Sequence, residues 1–520
     1  MSASDKPAPR SRLLSTALIV GLSTMASRIT GFGRDIFLAA LLGAGPFSEI
    51  FVIAFRLPNL FRRLFAEGAF SAAFVPLFSQ QIETNGTPAA IQFAARVCSV
   101  LLTAVVVFTL LAQIFMPGLV MAIAQGMVGA PEKFDLAVYY ARISFPYLIF
   151  MSLMALFAAM LNATGRFFAA AFAPLLLNIL LILAMAMAVV FQGLAIDYII
   201  WGVVVSGFAQ LAFVVIAVWR AGLGFRLAWP RWTADVKAVF ALAVPGMLAA
   251  GIGQINLLVG TSIATAQIGA VAWLYYADRL YQLPMGVVGV ALSVALLPDL
   301  SRRLAAGDDK GARDSQNLAV LAAMGLTLPA AAGLSVLAAP IVSILFERGA
   351  FTAADTLATA RAAQAFCLGL PAFVLVKALQ PSFFARQDTR APLVDGAIGV
   401  AFNIAVSLTL FPIYGHVAIA YATSLAGWVT LLLMLLRMAR RSIWTIDFDV
   451  ARMATAQLAA TALMVAALIW AGQAMAPPSS GLGLGLWVAV MVVGGGMVFG
   501  VAAWLLGGIN KHQLHRLRRR

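Results

Sequence analysis

The chain has 520 residues, 62% of them hydrophobic and 11% charged, with a mean hydropathy of +0.96. A soluble domain carries roughly 45–50% apolar and about 25% charged residues, so polar side chains are too few here to cover a surface in water, and soluble enzymes, secreted domains, coiled coils and disordered tails are excluded. The 35 Lys and Arg against 20 Asp and Glu leave a formal charge of +15, which in a soluble protein would suggest nucleic acid but in a lipid-embedded one asks which membrane face holds the excess.

Residues 1–13 read as a short basic N-terminal arm ahead of an uncleaved first span, because the apolar stretch behind them is too long for a signal core. A spanning helix needs about 20 mainly apolar residues. Fourteen stretches qualify: 14–42, 47–80, 90–116, 137–162, 170–191, 197–219, 234–264, 270–299, 315–346, 356–384, 392–411, 416–437, 450–474 and 482–507. The expected class is an all-α integral membrane protein of 14 helices. Residues 14–220 form a first six-helix lobe, 221–440 a second, 441–507 a final helix pair and 508–520 a basic tail.

Sidedness supports this division. With an even number of spans both termini share a face, and that face collects 23 basic residues in its loops and termini, against Lys133 and Arg348 alone on the other. Basic residues are retained in the cytoplasm, so both termini are expected there, and the basic excess is topological. No nucleic-acid partner is expected.

A weak internal repeat runs through the chain. Phe55-Arg56-Leu57 with Pro76-Leu77-Phe78-Ser79 recurs as Asp278-Arg279-Leu280 with Pro298-Asp299-Leu300-Ser301; Phe145-Pro146 recurs as Leu370-Pro371, and Asn178-Ile179 as Asn403-Ile404. Several pairs at nearly one offset indicate a duplicated six-helix unit, a transporter architecture.

Charges inside the spans are the informative residues, since each costs about 2.5–3.5 kcal/mol at a helix centre. Span one holds Arg28, Arg34 and Asp35; span two holds Glu49, Arg56, Arg62, Arg63 and Glu67; span eight holds Asp278 and Arg279. Arg28 and Asp35 are seven apart and share a helix face, and Arg63 and Glu67 are i,i+4 neighbours able to pair. Positives exceed negatives in this set, which points to a water-filled cationic cavity. Arg96, Arg142, Arg361 and Lys377 lie near helix ends or lack an obvious partner and read as structural. Arginine offers a planar fork for phosphate at any physiological pH, so an anionic substrate, most simply a phosphate or diphosphate on an amphiphile, fits best.

Other chemistries lack their residues. No GxxxxGK[ST], HExxH or GxSxG sequence and no metal-spaced Cys/His cluster occurs; His416, His512 and His515 lie at loops or the tail, and Cys98 and Cys367 read as buried thiols. Gly494 to Gly496 and Gly500 read as small-residue helix packing.

Ser27-Arg28-Ile29-Thr30-Gly31-Phe32-Gly33-Arg34-Asp35, followed by Arg56-Leu57-Pro58-Asn59-Leu60-Phe61-Arg62-Arg63-Leu64-Phe65-Ala66-Glu67-Gly68-Ala69-Phe70, resembles the MurJ (MviN) lipid II flippase family of the MOP exporter superfamily. The likeness continues through Tyr275-Tyr276-Ala277-Asp278-Arg279-Leu280, Phe351-Thr352 with Asp355, and Arg386-Gln387-Asp388. It implies alternating access that carries undecaprenyl-diphosphate-linked disaccharide-pentapeptide from the inner to the outer leaflet of the bacterial cytoplasmic membrane. It also implies a lipid-tail groove in the last two helices.

By the same resemblance Arg28, Arg34, Arg62 and Arg279 are expected to bind substrate. Asp35, Glu49, Arg56, Arg63, Glu67, Asp278 and Arg386 are expected as supporting or gating charges. No cofactor or resident metal is expected. Some relatives carry a sodium-binding acid late in span seven, where this chain has Gln254-Ile255-Asn256-Leu257-Leu258-Val259-Gly260; coupling to sodium or to the membrane potential stays open, with the potential favoured. Expected partners are lipid II, membrane lipids and the cell-wall synthesis machinery. Two other functions compete: export of another polyprenyl-linked glycan or a drug, and a membrane enzyme acting on polyprenyl-phosphate sugars. The outward acids Glu132, Asp135, Asp197, Glu347 and Asp355 form no evident catalytic constellation for the latter.

Overall fold

The computed structural model describes residues 10–65, 69–444, 447–478 and 481–509. Among them no strand occurs, as lipid demands of a chain that must satisfy every backbone group within its own segment. Among the described residues, eleven helical stretches are long and apolar enough to cross a membrane. The expected all-α membrane class is borne out.

The chain divides into two compact units, residues 1–266 and 267–520. The first holds α1 (Arg10–Leu42), α2 (Pro46–Phe65), α3 (Ala69–Ile114), α4 (Met116–Ile123), α5 (Pro131–Ser144), α6 (Tyr147–Ala163), α7 (Phe168–Val190), α8 (Ala195–Arg220) and α9 (Ala234–Ala264). Within it α1 packs on α7, α7 on α8, α6 against α3 and α8, α2 on α5, and α9 on α3. The packing boundary after Ala266 falls one helix later than the duplication boundary read from sequence at residue 220. Helix α9, which the expected division places at the start of the second lobe, packs in the first unit.

The second unit holds α10 (Ala270–Pro284), a π-helical turn at Met285–Gly289, α11 (Val290–Ala305), α12 (Asp309–Val336), α13 (Ala338–Phe346), α14 (Ala353–Cys367), α15 (Leu370–Phe384), α16 (Arg390–Tyr414), α17 (His416–Arg440), α18 (Phe448–Ala474) and α19 (Gly481–Leu505). Helix α12 is central, touching α11, α14, α15 and α18. The final pair closes on it through Leu337, Met464, Leu468, Met491 and Phe499. A Cβ on Gly495 would come within 3.1 Å of Leu468, whereas one on Gly494, Gly496 or Gly500 would meet nothing within 4 Å. Small-residue packing therefore operates at Gly495 alone of these four.

Two of the recurring sequence pairs fall at helix breaks. Phe145-Pro146 separates α5 from α6, and Leu370-Pro371 opens α15 directly after α14. A proline has no N–H to donate and clashes with the preceding turn, so each span is cut where the proline falls. Spans two and three are divided instead by Gly86, whose φ of 81° and ψ of 167° interrupt α3; a residue without Cβ adopts that conformation without steric cost.

Candidate functional site

The first charged cluster is built on the α1–α7 contact. A Cβ on Gly31 would lie 3.2 Å from Asn178 Nδ2, so this glycine lets α7 come close. Asn178 then bridges the helices. Its Nδ2 donates to the Ser27 carbonyl at 2.8 Å, and its Oδ1 accepts from Arg34 Nη1 at 3.0 Å. Arg34 also donates through Nε (3.0 Å) and Nη2 (2.7 Å) to Asp35 Oδ1, with the two side chains 11% and 2% exposed. A buried charge needs such compensation, and here the partner is the adjacent residue. Arg28, expected on the Asp35 face, stands about 10 Å away along the axis at 1.5 Å per residue, too far to share that carboxylate directly. Its side chain lies exposed, as do those of Met25 and Ile29, and makes no ion pair or side-chain hydrogen bond among the described residues. Arg28 thus offers its donors outward while Arg34 spends three on the protein.

The α2 charges are mostly committed to neighbours. Glu49, fully buried, is ion-paired with Lys133 on α5. Arg56 donates through Nη1 to the Thr261 hydroxyl on α9, which in turn donates a hydrogen bond to the Leu257 carbonyl. Arg62 Nε reaches Asn59 Oδ1 at 2.7 Å, one turn back. Arg63 is exposed. Glu67, expected to pair with it, lies outside the described residues, as do the first nine residues and most of the basic tail.

Helix α9 is fastened to its unit at both ends. Arg96 on α3 bonds Asp235 at 2.7 Å, and at the other end the Gly126 amide donates to Thr265 Oγ1 at 3.0 Å. Tyr140 on α5 donates to Asp197 at the start of α8 at 2.8 Å.

In the second unit Asp278 accepts from Gln282 one turn on, and the Arg279 guanidinium sits 4.5 Å from the centroid of the Tyr275 ring. That is a cation–π geometry, worth more when desolvated. The π turn at Met285–Gly289 follows directly. A Cβ on Gly289 would lie 2.8 Å from Lys377 Cδ on α15, and Ser293 donates to the Lys377 carbonyl at 2.8 Å. Lys377, which sequence alone left among structural residues, is thus placed beside the irregular turn of the Asp278–Arg279 span. Arg386 lies past the end of α15 and donates to the Ser382 carbonyl at 2.9 Å; burial pulls its pKa below the usual guanidinium value, against the attraction of Asp309. Nearby in sequence, the Ala391 amide and Arg441 hold the Asp388 carboxyl below its ordinary value.

Among the described residues no group of three or more His, Cys, Asp and Glu could hold a metal ion. What the two units offer is a set of guanidiniums, one of them exposed on α1 and others braced by Asp35, Asn178, Asn59 or Tyr275. Sequence reasoning missed the braces Asn178, Asn59 and Thr261 and the partner Lys133. Asn178 was marked only by its recurrence as Asn403, whose Nδ2 reaches Thr423 on α17 at 3.3 Å.

Residues 38–486 match the family model described as "Lipid II flippase MurJ". A "Probable lipid II flippase MurJ" of Rhizobium meliloti is 44% identical over 506 residues, covering 95% of this chain and 94% of the relative. The fold matches a solved structure titled "Lipid II flippase MurJ, inward closed conformation" with a TM-score of 0.80 at 24% identity, over 94% of this chain and 98% of that one. It also matches an inward-facing multidrug resistance MATE transporter of the MOP superfamily, with a TM-score of 0.67 at 14% identity over 82% of this chain and 98% of that one. Sequence likeness along nearly the whole length and a shared helical architecture agree: this chain is a multi-pass membrane protein and belongs to the MurJ lipid II flippase family.

Proposed function

We propose that this chain moves lipid II, the undecaprenyl-diphosphate-linked peptidoglycan precursor, from the inner to the outer leaflet of the cytoplasmic membrane by alternating access, acting as a transporter without catalytic turnover. The observation that carries the proposal is Arg28: a permanently charged fork on α1, exposed, with no acid paired to it among the described residues. A diphosphate supplies the missing anion, and bidentate guanidinium–phosphate bonds are among the stronger polar contacts. We assign Arg28 to first contact with the diphosphate and Arg34, Arg62 and Arg279 to the headgroup, with Asp35, Glu49, Arg56, Arg63, Glu67, Asp278 and Arg386 as supporting charges. The segregation of basic residues supports cytoplasmic termini.

Energy for the cycle is assigned to the membrane potential. A charge crossing 100 mV is worth about 2.3 kcal/mol, and an anion leaving an inside-negative cell moves downhill. Replacing the protein's medium sodium with potassium checks the other source; flipping that persists in potassium and fails on depolarisation fits the assignment.

Leaflet-resolved labelling of lipid II in cells depleted of this chain tests the function. Wild type restores outer-leaflet lipid II. Arg28→Ala, losing one charge-assisted contact of about 1.5–3 kcal/mol, slows flipping about 10- to 150-fold at normal membrane levels. Wild-type labelling with Arg28→Ala defeats the assignment of Arg28, and unchanged labelling on depletion defeats the function.

A further inference from the structure

A second cationic feature lies in the first unit, away from the α1 and α2 arginines. Where α6 ends, α7 begins and α8 ends, a pocket of about 340 Å³ is walled by Leu161, Phe167, Phe168 and Ala217, with Arg166 in its lining. The volume suits a small ligand group, and the wall is apolar apart from this one arginine. Arg166 is exposed and makes no ion pair or side-chain hydrogen bond among the described residues.

The connector between α8 and α9 runs from the same end of the unit. Phe225 stacks on Phe157 at 5.7 Å, one helical turn before Leu161 of the pocket, and Trp232 stacks on Phe240 of α9 at 5.3 Å. Between those anchors the chain exposes Arg226, Leu227, Trp229 and Arg231, with Trp229 81% exposed. Arg226 and Arg231, like Arg166 and Arg220, have no acidic partner among the described residues. The acids between residues 161 and 237 are Asp197, bonded to Tyr140 at the far end of α8, and Asp235, paired with Arg96. Arginine interleaved with tryptophan at helix ends is the chemistry of the headgroup layer, where rings sit among glycerol and ester groups and cations meet phosphates.

The geometry points to a binding site for the headgroup phosphate of an anionic glycerophospholipid, held by Arg166 in the pocket and by Arg226 and Arg231 of the connector. The ligand is a structural lipid of the leaflet facing the basic loops. It is distinct from the transported substrate, because the site shares no residue with the α1 and α2 cluster. A headgroup phosphate and free phosphate share this chemistry, and the test separates them.

The full-length protein is reconstituted in nanodiscs of phosphatidylcholine with or without phosphatidylglycerol and released for native mass spectrometry. Wild type retains phosphatidylglycerol in preference to phosphatidylcholine. Each neutralised arginine costs about fivefold in retention, at roughly 1 kcal/mol per basic residue near a lipid surface, so Arg166→Gln, Arg226→Gln and Arg231→Gln combined lose it about 100-fold. Arg348→Gln, at an exposed arginine of the second unit, changes nothing. Thermal melting in pure phosphatidylcholine, equal for wild type and the triple variant, confirms that the variant folds. Equal retention of phosphatidylglycerol by wild type and the triple variant overturns the proposal. So does full displacement of the lipid by inorganic phosphate at matched concentration, which would make the site one for the free ion.

Discussion

Asn178→Ala is expected to loosen the α1–α7 contact by about 2–3 kcal/mol. The side chain makes two bonds that alanine cannot: Nδ2 to the Ser27 carbonyl at 2.8 Å and Oδ1 from Arg34 Nη1 at 3.0 Å. The first is a neutral bond between two helices, and such interhelical bonds in membrane proteins average about 0.6 kcal/mol. The second involves a charge and is worth about 1.5–3 kcal/mol. Asn178→Leu separates bonding from volume, since it fills the site without restoring either bond and should recover only the packing share. Unfolding of the detergent-purified full chain by heat or by SDS titration reads the loss. A double-mutant cycle with Arg34→Met isolates the shared bond, with a coupling of about 1–2 kcal/mol expected because Arg34 keeps its bonds to Asp35 when Asn178 is gone. If Asn178→Ala and Asn178→Leu both unfold within about 0.5 kcal/mol of wild type, or the cycle is additive, Asn178 braces nothing.

Two further substitutions probe other joints of the first unit. Gly126→Ala would put a Cβ 2.4 Å from the Ala266 amide nitrogen, and since backbone cannot rotate away, destabilisation of about 1–3 kcal/mol is expected in the same assay; a neutral result would mean the Gly126 turn does not bear on the end of α9. Lys133→Met takes the ammonium away from the fully buried Glu49 at a cost of about 3–5 kcal/mol, and adding Glu49→Gln should recover most of it, whereas a double variant no better than the single would show that the pair's charge is not what matters there.

How far the sequence anticipates this structure depends on the reach of each interaction. The recurrence of Phe145-Pro146 as Leu370-Pro371 is local and was legible before any coordinates, but both pairs lay inside expected spans, 137–162 and 356–384, and the breaks they make between helices emerge only in the structure. The charges of Arg28, Arg34 and Asp35 were equally legible, because a charge in an apolar run stands out without knowledge of its neighbours. Pairings were not. Glu49 finds Lys133 at a separation of 84 residues, and Arg34 finds Asn178 at 144. Which helices lie side by side is fixed by the packing of whole apolar faces, a property spread over many weak contacts that no short motif carries. Helical periodicity put Asp35 on the face of Arg28, but its carboxylate went to the adjacent Arg34, whose long side chain can fold back along the helix. The placement of α9 in the first unit escaped sequence for the same reason, since its bonds to Arg96, Arg56 and the Gly126 turn all come from distant segments.

The distribution of partners among the arginines separates holding from gripping. Arg34 could take an incoming phosphate only by giving up or sharing contacts already made to Asp35 and Asn178, and that exchange subtracts from any affinity gained. Arg28 makes no such bonds among the described residues, so there it yields only hydration. The two should therefore answer differently to lysine. An ammonium keeps the charge but loses the fork. At position 34 the fork is in use, with Nε and Nη2 on one carboxylate oxygen and Nη1 on an amide oxygen, so Arg34→Lys should cost about 1–3 kcal/mol of stability through bonds left unmade. At position 28 the same change should leave stability within about 0.5 kcal/mol, as for a surface substitution, and act on flipping alone. Unfolding and leaflet-resolved labelling of both variants decide the matter: if Arg28→Lys unfolds early while Arg34→Lys does not, the roles assigned to these two side chains are reversed.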